Sequence, residues 1–390
     1  MNFDEKIDRR GTHCSKWDTI EALYGLSPDD ALAMWVADMD FRPPACVQQA
    51  LERMVEHGVY GYFGDERAYR QAICWWMANR HGWTVQPDWI FTANGLVNGT
   101  ALCVDTWSEP GDAVALMTPV YHAFFRVIRA SGREARELPL KLDNNRYEMD
   151  FDAWDKLMTG REKMLILCSP HNPGGRVWTA DELQKVAAFA ERHNLIVVSD
   201  EIHHDLVFPG QKHTPMAVAA SQILDRLVMM SAVTKTFNIA GAHVGNVIIP
   251  DEKLRKAFAQ RAMALGISPN AFGMQMATAA YSPEGAEWVD QLMAYLDGNR
   301  KVFDAGIASI PGLKSMPLEA TYLAWVDYSG TGMDQQEVLR RVEKTARIAT
   351  NYGQAFGSGG ETFLRFNLAM PRAMIEEAVS RLKAAFADLQ

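Results

Sequence analysis

Short, uninterrupted apolar runs alternate with longer amphipathic stretches over most of the chain. The runs at 163–168, 195–199 and 227–230 contain almost no polar residues, which predicts strands buried on both faces of a sheet. The stretch 179–193 instead fits a helix, because Thr179 and Glu182 have the spacing of a capping box at its start. Strands that alternate with helices in this way predict an α/β fold with a mostly parallel sheet.

The same pattern predicts the remaining elements. We expect further strands at 89–92, 113–117, 134–139 and 245–249, and helices at 44–57, 65–81, 123–130, 150–157, 253–265, 271–281 and 284–307, with one more helix beginning after Gly95. The first 44 residues are irregular apart from a short strand predicted at 33–37.

Beyond residue 312 the pattern changes to shorter, half-buried strands, as at 321–326 and 363–368. The chain has 390 residues, of which 48% are hydrophobic, so it is long enough for two domains. We expect a large domain at 45–283 and a smaller α+β domain formed by 1–44 and 284–390.

Charge and cysteine content narrow the class of protein. The net charge of −9 is spread along the chain, which argues against a nucleic-acid partner. No stretch is apolar and long enough to cross a membrane, and the start has no apolar signal core. The five cysteines are scattered and form no Cys-x-x-Cys pair, so we expect reduced thiols and a cytoplasmic location.

Three of the predicted strands are each followed by a polar group. Lys235 follows the run 227–230, Asp200 follows 195–199, and Asn172 follows 163–168. Ligands of open α/β sheets bind at this carboxyl edge. A lysine that loses water there becomes a neutral amine able to form a Schiff base. Together the three groups suit pyridoxal phosphate (PLP): the lysine binds its aldehyde carbon, the aspartate pairs with its ring nitrogen, and the amide bonds its ring oxygen. Lys235 alone would be interpreted as a lysine that extends from a strand end into water.

The order of the motifs resembles the fold-type I PLP enzymes, the aspartate aminotransferase superfamily. The motifs are Asn-Pro-Gly-Gly at 172–175, Asp-Glu-Ile-His at 200–203 and Thr-Lys-Thr-Phe-Asn-Ile-Ala-Gly at 234–241. Together with Trp-Val-Ala-Asp-Met-Asp-Phe at 35–41, and with His203 where many aminotransferases have tyrosine, they resemble the branch of MalY/PatB-type cystathionine β-lyases. The resemblance covers nearly the whole chain. It implies a PLP-dependent transferase-like large domain, a small domain from both chain ends, and a homodimer.

The resemblance also implies how the cofactor phosphate is bound. The amides of Leu96 and Val97 would hold it at the start of a helix, where free N–H groups favour anions. Thr234 would contribute from beside the lysine. Tyr62 would reach the phosphate of the neighbouring subunit, with Tyr60 as the alternative.

Further roles concern the ring and the substrate. Tyr121 would stack on the pyridine ring, and its hydroxyl could help protonate the leaving group; His203 would face the oxygen side of the cofactor. Arg365 alone could equally be a structural ion-pair partner, but the resemblance makes it the bidentate partner of the substrate α-carboxylate. Val36 and Ala37 would lie near the substrate.

Some residues depart from the superfamily pattern or suggest other chemistry. His243 occupies a position where an arginine often binds the phosphate, and Ala232 one where serine is often found. Phosphate binding would therefore depend on Thr234, the loop amides and Tyr62. We predict no metal at the pair His203 and His204, because neighbours on a strand point to opposite faces and no further ligand follows nearby; His204 is interpreted as structural.

Three functions remain open at this point. The first is β-elimination at a carbon–sulfur bond of cystathionine, cysteine or S-substituted cysteines, giving a thiol, pyruvate and ammonia. The second is a class I/II aminotransferase, which needs the same residues. The third is a regulatory protein that acts through a protein partner. The segment 35–41, His203 and the absence of arginine at 243 favour the lyase.

Overall fold

The computed structural model describes residues 1–268 and 270–389. The strands are β1 (Leu32–Ala33), β2 (Ile90–Ala93), β3 (Ala113–Thr118), β4 (Glu134–Pro139), β5 (Lys141–Asp143), β6 (Arg146–Glu148), β7 (Glu162–Cys168), β8 (Ile196–Asp200), β9 (Leu227–Ser231), β10 (Gly245–Ile248), β11 (Lys314–Ser315), β12 (Leu323–Asp327), β13 (Ile348–Ala349), β14 (Asn351–Tyr352) and β15 (Phe363–Asn367).

The α-helices occur between and around these strands. They are α1 (Ser15–Asp18), α2 (Ile20–Tyr24), α3 (Ala45–His57), α4 (Arg67–His81), α5 (Leu96–Trp107), α6 (Ala123–Ala130), α7 (Phe151–Leu157), α8 (Ala180–Arg192), α9 (Met216–Ala219), α10 (Val233–Thr236), α11 (Glu252–Ala264), α12 (Ala271–Ala280), α13 (Pro283–Ala308), α14 (Gln335–Leu339) and α15 (Arg372–Ala385).

The central sheet has seven strands in the order β2-β10-β9-β8-β7-β3-β4. All neighbouring pairs are parallel except those of β10, which is antiparallel to both β2 and β9. Successive residues of β9 belong to different cores: Met229 packs on one face of the sheet, and Val228 and Met230 on the other. Burial on both faces explains the unbroken apolar runs, and the predicted α/β class with a mostly parallel sheet is confirmed.

A second sheet has four antiparallel strands in the order β11-β12-β15-β14. Near it, β1 pairs in parallel with β13, so that Leu32 lies opposite Ile348. The beginning of the chain is thus tied to its last quarter. This pairing of the two chain ends is the arrangement expected for the small α+β unit. The domain boundaries, 45–283 for the large domain and 1–44 with 284–390 for the small one, stay a prediction.

Most helices begin and end within a few residues of the predicted positions. The capping box of α8 is present: Glu182 N donates to Thr179 Oγ1 at 3.2 Å, and Thr179 N donates to Glu182 Oε2 at 2.8 Å. Within the described part of the chain, no helix is both long and apolar enough to span a membrane.

The predicted strand at 33–37 is wrong in most of its length. Only Leu32 and Ala33 pair as a strand, and residues 34–41 form no regular element. The reason is that the carbonyl groups after Met34 are bonded mainly by side chains from other parts of the chain instead of by a neighbouring strand.

Candidate active site

Three neighbouring strands of the central sheet end beside one cavity. They are β7, β8 and β9. Asn172 follows β7, Asp200 is the last residue of β8, and Lys235 follows β9. The cavity has a volume of about 520 Å³. Its wall includes nine of the residues predicted from the sequence: Ala37, Leu96, Val97, Tyr121, Asn172, Asp200, His203, Thr234 and Lys235.

Lys235 is placed by the short helix α10 directly after β9. Its Nζ donates a hydrogen bond to the carbonyl oxygen of Ala37 at 2.6 Å. Loss of water around the amine lowers the pKa of Lys235 to about 8, although the charge of Asp38 acts in the opposite direction. A substantial fraction of the lysine is therefore neutral near pH 8, as a nucleophile or base requires.

Asp200 ends β8 and is buried, with 5% of its surface exposed. Its Oδ1 accepts a hydrogen bond from the backbone N–H of Ile202 at 3.1 Å. Burial raises the pKa of Asp200 to about 7. No lysine, arginine or histidine forms an ion pair with it among residues 1–268 and 270–389. The carboxylate is thus suited to pair with a positively charged group of a bound ligand.

Arg365 lies on β15 and reaches the site from the second sheet. Its Nη1 donates to Asn172 Oδ1 at 3.0 Å, and its Nη2 donates to the Trp35 carbonyl at 3.1 Å and to Asn351 Oδ1. Burial lowers the pKa of Arg365 to about 10. Its Nε has no hydrogen-bond partner, and no carboxylate of the described chain pairs with it. A buried, unpaired guanidinium of this kind is a receptor for an anion.

The start of α5 forms part of the cavity wall. Gly95 caps this helix with φ of 85°, a conformation that suits glycine, and Leu96 and Val97 are the first helical residues. Their backbone N–H groups have no carbonyl partner one turn earlier in the helix. Thr234 lines the same cavity, as does the exposed His243. These groups can hold a phosphate.

Tyr121 and His203 also line the cavity. The Tyr121 ring packs 4.9 Å from His122 and 5.6 Å from Phe124, and burial raises the pKa of its hydroxyl. His203 is buried, its Nδ1 has no hydrogen-bond partner in the described residues, and burial lowers its pKa to about 3. His203 is therefore neutral at physiological pH and free to bond a ligand.

Three predicted site residues are not in the cavity wall of the single chain. Arg365 reaches the site from β15 and is bonded to Asn172 in the wall. Tyr62 is fully exposed, with a relative accessibility of 105%. The carbonyl of Val36 accepts a hydrogen bond from Asn367 at 2.6 Å.

The strand conformation predicted for His203 and His204 was wrong. The strand β8 ends at Asp200, so the two histidines lie in a turn. One ligand atom each of His81, His204 and Asp205 lie within 4.8 Å of one another, a grouping that sequence spacing did not indicate.

The two imidazole rings of this group stack on each other. The ring centroids of His81 and His204 are 4.1 Å apart, with an interplanar angle of 19°. His81 Nε2 lies 2.8 Å from Asp205 Oδ1, and His204 Nε2 lies 3.2 Å from Asp205 Oδ2. Asp205 also accepts hydrogen bonds from Trp76 Nε1 and Thr236 Oγ1, each at 2.9 Å. The carboxylate is thus occupied by donors of the chain, and the structural role of His204 stays a prediction.

Comparison with known proteins places this geometry in context. The model of the family "Aminotransferase class I and II" matches residues 33–382. Cystathionine beta-lyase PatB of Bacillus subtilis is 39% identical over 388 residues, which is 99% of this chain and 100% of that protein.

Two solved structures are also similar. A PLP-bound putative aminotransferase from Clostridium difficile has a TM-score of 0.95 and 36% identity, and the match covers 99% of each chain. Cystalysin from Treponema denticola, which contains PLP, has a TM-score of 0.95 and 34% identity, and the match covers 100% of this chain and 99% of that one.

Proposed function

The chain belongs to the aminotransferase class I and II family, and we propose that it is a PLP-dependent carbon–sulfur lyase. It cleaves cystathionine, cysteine or S-substituted cysteines to a thiol, pyruvate and ammonia. The observation that carries the proposal is a set of three groups at one cavity, two in its wall and one bonded to the wall through Asn172, in a chain similar over its whole length to a cystathionine β-lyase. The groups are the neutralisable amine of Lys235, the buried acid of Asp200 and the unpaired guanidinium of Arg365.

The residues present fit PLP. Asp200 is a buried carboxylate without a cation, which suits the ring nitrogen, and Asn172 and His203 offer hydrogen bonds to the ring oxygen. The first amides of α5 and Thr234 suit the phosphate. Lys235 is the amine that would bind the aldehyde carbon. When bound, PLP supplies an electron sink for the negative charge that remains at Cα after the α proton is removed.

The chain itself supplies substrate binding and proton transfer. Arg365, whose Nε has no hydrogen-bond partner among the described residues, would hold the α-carboxylate and so orient the Cα–H bond. Lys235, with its pKa lowered to about 8, would take the α proton as general base. Tyr121 stays protonated because burial raises its pKa, so it can donate a proton to the sulfur that leaves Cβ. The released enamine then hydrolyses in water to pyruvate and ammonia.

An aminotransferase is the second candidate, because it would use the same residues up to removal of the α proton. A regulatory protein that acts through a partner is the third. Substitution of Lys235 distinguishes the regulatory candidate from the two enzyme candidates. If Lys235→Ala leaves a biological effect of the protein intact, catalysis is not the cause of that effect.

We further propose that two copies of the chain form the complete site. The loop 58–64 carries the exposed aromatic residues Tyr60 and Tyr62, and the Tyr60 ring lies 5.4 Å from the exposed ring of Phe272 on α12. Exposed apolar side chains grouped in this way favour an interface. Tyr62 would then reach the phosphate in the neighbouring cavity. A cytoplasmic location is also proposed, since all five cysteines are free thiols.

The test of the lyase is pyruvate release from purified protein with added PLP and L-cystathionine, without any oxo acid. Sustained turnover is expected, because elimination returns the enzyme to its starting form in each cycle. Release that stops after one equivalent and resumes when an oxo acid is added would identify an aminotransferase and contradict the proposal.

A further inference from the structure

The segment 35–41 crosses the site without regular secondary structure, yet side chains bond nearly all of its carbonyl groups. The donors to residues 35–39 and 41 are seven different side chains. In chain order, Trp35 is bonded by Arg365, Val36 by Asn367, Ala37 by Lys235 and Tyr322, Asp38 by Asn367 and Lys16, Met39 by Asn238 and Arg9, and Phe41 by Asn238. A loop bonded at this density is held in one conformation.

Two asparagine amides make the most regular part of this bonding. Asn367 Nδ2 donates to the carbonyl groups of Val36 and Asp38, both at 2.6 Å, and so spans Ala37. Asn238 Nδ2 donates to Met39 and Phe41 at 2.8 and 2.7 Å, and its Oδ1 accepts from Met39 N at 2.8 Å. Asn367 is fully buried, and each amide uses both of its N–H donors.

The two asparagines also connect the two halves of the site. Asn238 lies three residues after Lys235, in the loop that follows β9. Asn367 lies two residues after Arg365, on β15 of the second sheet. The segment between them is therefore joined at one end to the element that carries the amine and at the other to the strand that carries the guanidinium.

Between the two amides lies the carbonyl that receives Lys235. Ala37 O accepts from Lys235 Nζ at 2.6 Å and from Tyr322 OH at 2.9 Å. An amine whose N–H is held by a fixed carbonyl has a restricted direction for its lone pair. That direction decides whether the amine can take a proton from the substrate Cα.

We infer that Asn238 and Asn367 are positioning residues, which fix the Ala37 carbonyl and through it the direction of the Lys235 amine during proton transfer. The inference rests on the proposed role of Lys235 as base, and it adds two residues that do not touch the substrate. Neither amide carries a charge, so their effect is geometric and does not depend on changing the charge state of the lysine.

The competing explanation is that these amides only stabilise the fold. The chain offers a matched control for it. Asn299 is also fully buried, and its Nδ2 donates to the carbonyl groups of Leu368 and Met370 at 2.9 and 2.8 Å, but it forms no hydrogen bond with residues 35–41. Asn367→Asp and Asn299→Asp therefore remove the same kind of paired donor, since a carboxyl group cannot donate to two carbonyls at once.

The experiment measures exchange of the α proton of L-alanine in D₂O by the PLP-loaded protein, followed by NMR. This exchange needs only removal of the α proton, so it proceeds whether the protein is a lyase or an aminotransferase. Asn367→Asp should slow it about tenfold or more, while the KM for L-alanine changes less than about threefold. Asn299→Asp should stay within about twofold of the unchanged protein, at a similar loss of thermal stability.

A second measurement does not use activity. Amide hydrogen exchange of residues 36–40 in the PLP-loaded protein should become faster in Asn367→Asp and stay unchanged in Asn299→Asp. If Asn367→Asp is too unstable to purify, Asn238→Asp gives the same test from the other end of the segment.

Equal slowing by Asn367→Asp and Asn299→Asp, or a change in KM with no change in the exchange rate, would overturn the inference. The failure of the lyase proposal looks different: the unchanged protein would exchange the α proton of L-alanine but release no pyruvate in sustained turnover.

Discussion

Arg365 Nη1 donates a hydrogen bond to Asn172 Oδ1 at 3.0 Å, and this bond joins the second sheet to the central one. Asn172 follows β7, whereas Arg365 lies in the middle of β15. The candidate site is therefore built where two sheets meet, and each sheet contributes groups that the other lacks. The central sheet supplies the amine and the acid, and the second sheet supplies the anion receptor.

The geometry of Arg365 predicts the result of replacing its guanidinium with a lysine amine. Arg365→Lys keeps the charge but loses the two parallel donors. The binding free energy of a sulfur amino acid should weaken by about 2 kcal/mol, which raises its KM roughly 30-fold. The measurement is steady-state pyruvate release. An analogue without the α-carboxylate should be processed equally slowly by both proteins. Identical KM values for the amino acid would show that Arg365 does not bind its carboxylate.

The pKa of Lys235 predicts how PLP uptake depends on pH. Burial lowers this pKa to about 8 and Asp38 raises it, so the neutral amine increases as the pH rises through about 8. Asp38→Asn removes a charge that favours the ammonium form. We expect it to move the midpoint of covalent PLP uptake, followed by visible absorbance, to lower pH.

A matched control for this shift lies two residues away. Asp40 shares the partners Arg9 and Lys16 with Asp38, but its charge is not among those that act on Lys235. Asp40→Asn should leave the midpoint in place. A midpoint that moves upward in Asp38→Asn would contradict the assignment of the charge effect.

Buried neutral histidines predict loss of stability in acid. Burial lowers the pKa of His171 to about 3, so the folded protein leaves it neutral while the unfolded chain protonates it below its ordinary value of 6.5. The unfolded state then binds more protons, and the free energy of unfolding should fall as the pH decreases from about 6.5 toward 3. The contribution of one such histidine is at most about 1.4 kcal/mol per pH unit.

Urea unfolding of the PLP-loaded protein at several pH values measures this slope. His171→Gln does not titrate and keeps an acceptor for the Gly174 N–H, which donates to His171 Nδ1 at 3.3 Å. It should flatten the slope between about pH 6.5 and 5, whereas the same change at the exposed His57 should not. A slope that is the same in all three proteins would assign the acid sensitivity to other groups.

The exposed position of Tyr62 predicts that two inactive variants restore each other. If Tyr62 of one copy completes the neighbouring site, a mixture of Lys235→Ala and Tyr62→Ala chains forms dimers in which one site has both residues. Co-refolded mixtures should regain up to about a quarter of the normal activity, as expected for random pairing of closed two-fold dimers. Sedimentation velocity on the same samples checks the dimer. No regain of activity by a dimeric mixture would place Tyr62 in its own chain's site.

The sequence alone was sufficient for the residues that follow buried strands. Lys235, Asp200 and Asn172 could be grouped because apolar runs identify parallel strands, and parallel strands end at one edge. The functional interpretation of Arg365 needed the family resemblance, since a strand arginine with aromatic neighbours fits several roles. In the structure its lack of an acidic partner is what points to an anion.

Contacts between distant parts of the chain could not be predicted in this way. The segment 34–41 has no periodicity that reports its partners. The amides of Asn238 and Asn367 that bond it are 199 and 331 residues away along the chain. Asn238 adopts φ of 55°, a turn conformation for which the apolar pattern gives no signal. The approach of His81 to His204 was missed for the same reason, because nothing in local spacing links the end of α4 to a turn after β8.

The position of β15 near the end of the order of elements has a consequence for synthesis on the ribosome. All strands of the central sheet, with Asp200 and Lys235, are translated before Arg365 and Asn367. Because domains fold as units during synthesis, a nascent chain can assemble the cofactor end of its site first. Such a chain still lacks the guanidinium that we propose for the substrate carboxylate, so its site can be complete only after β15 has been made.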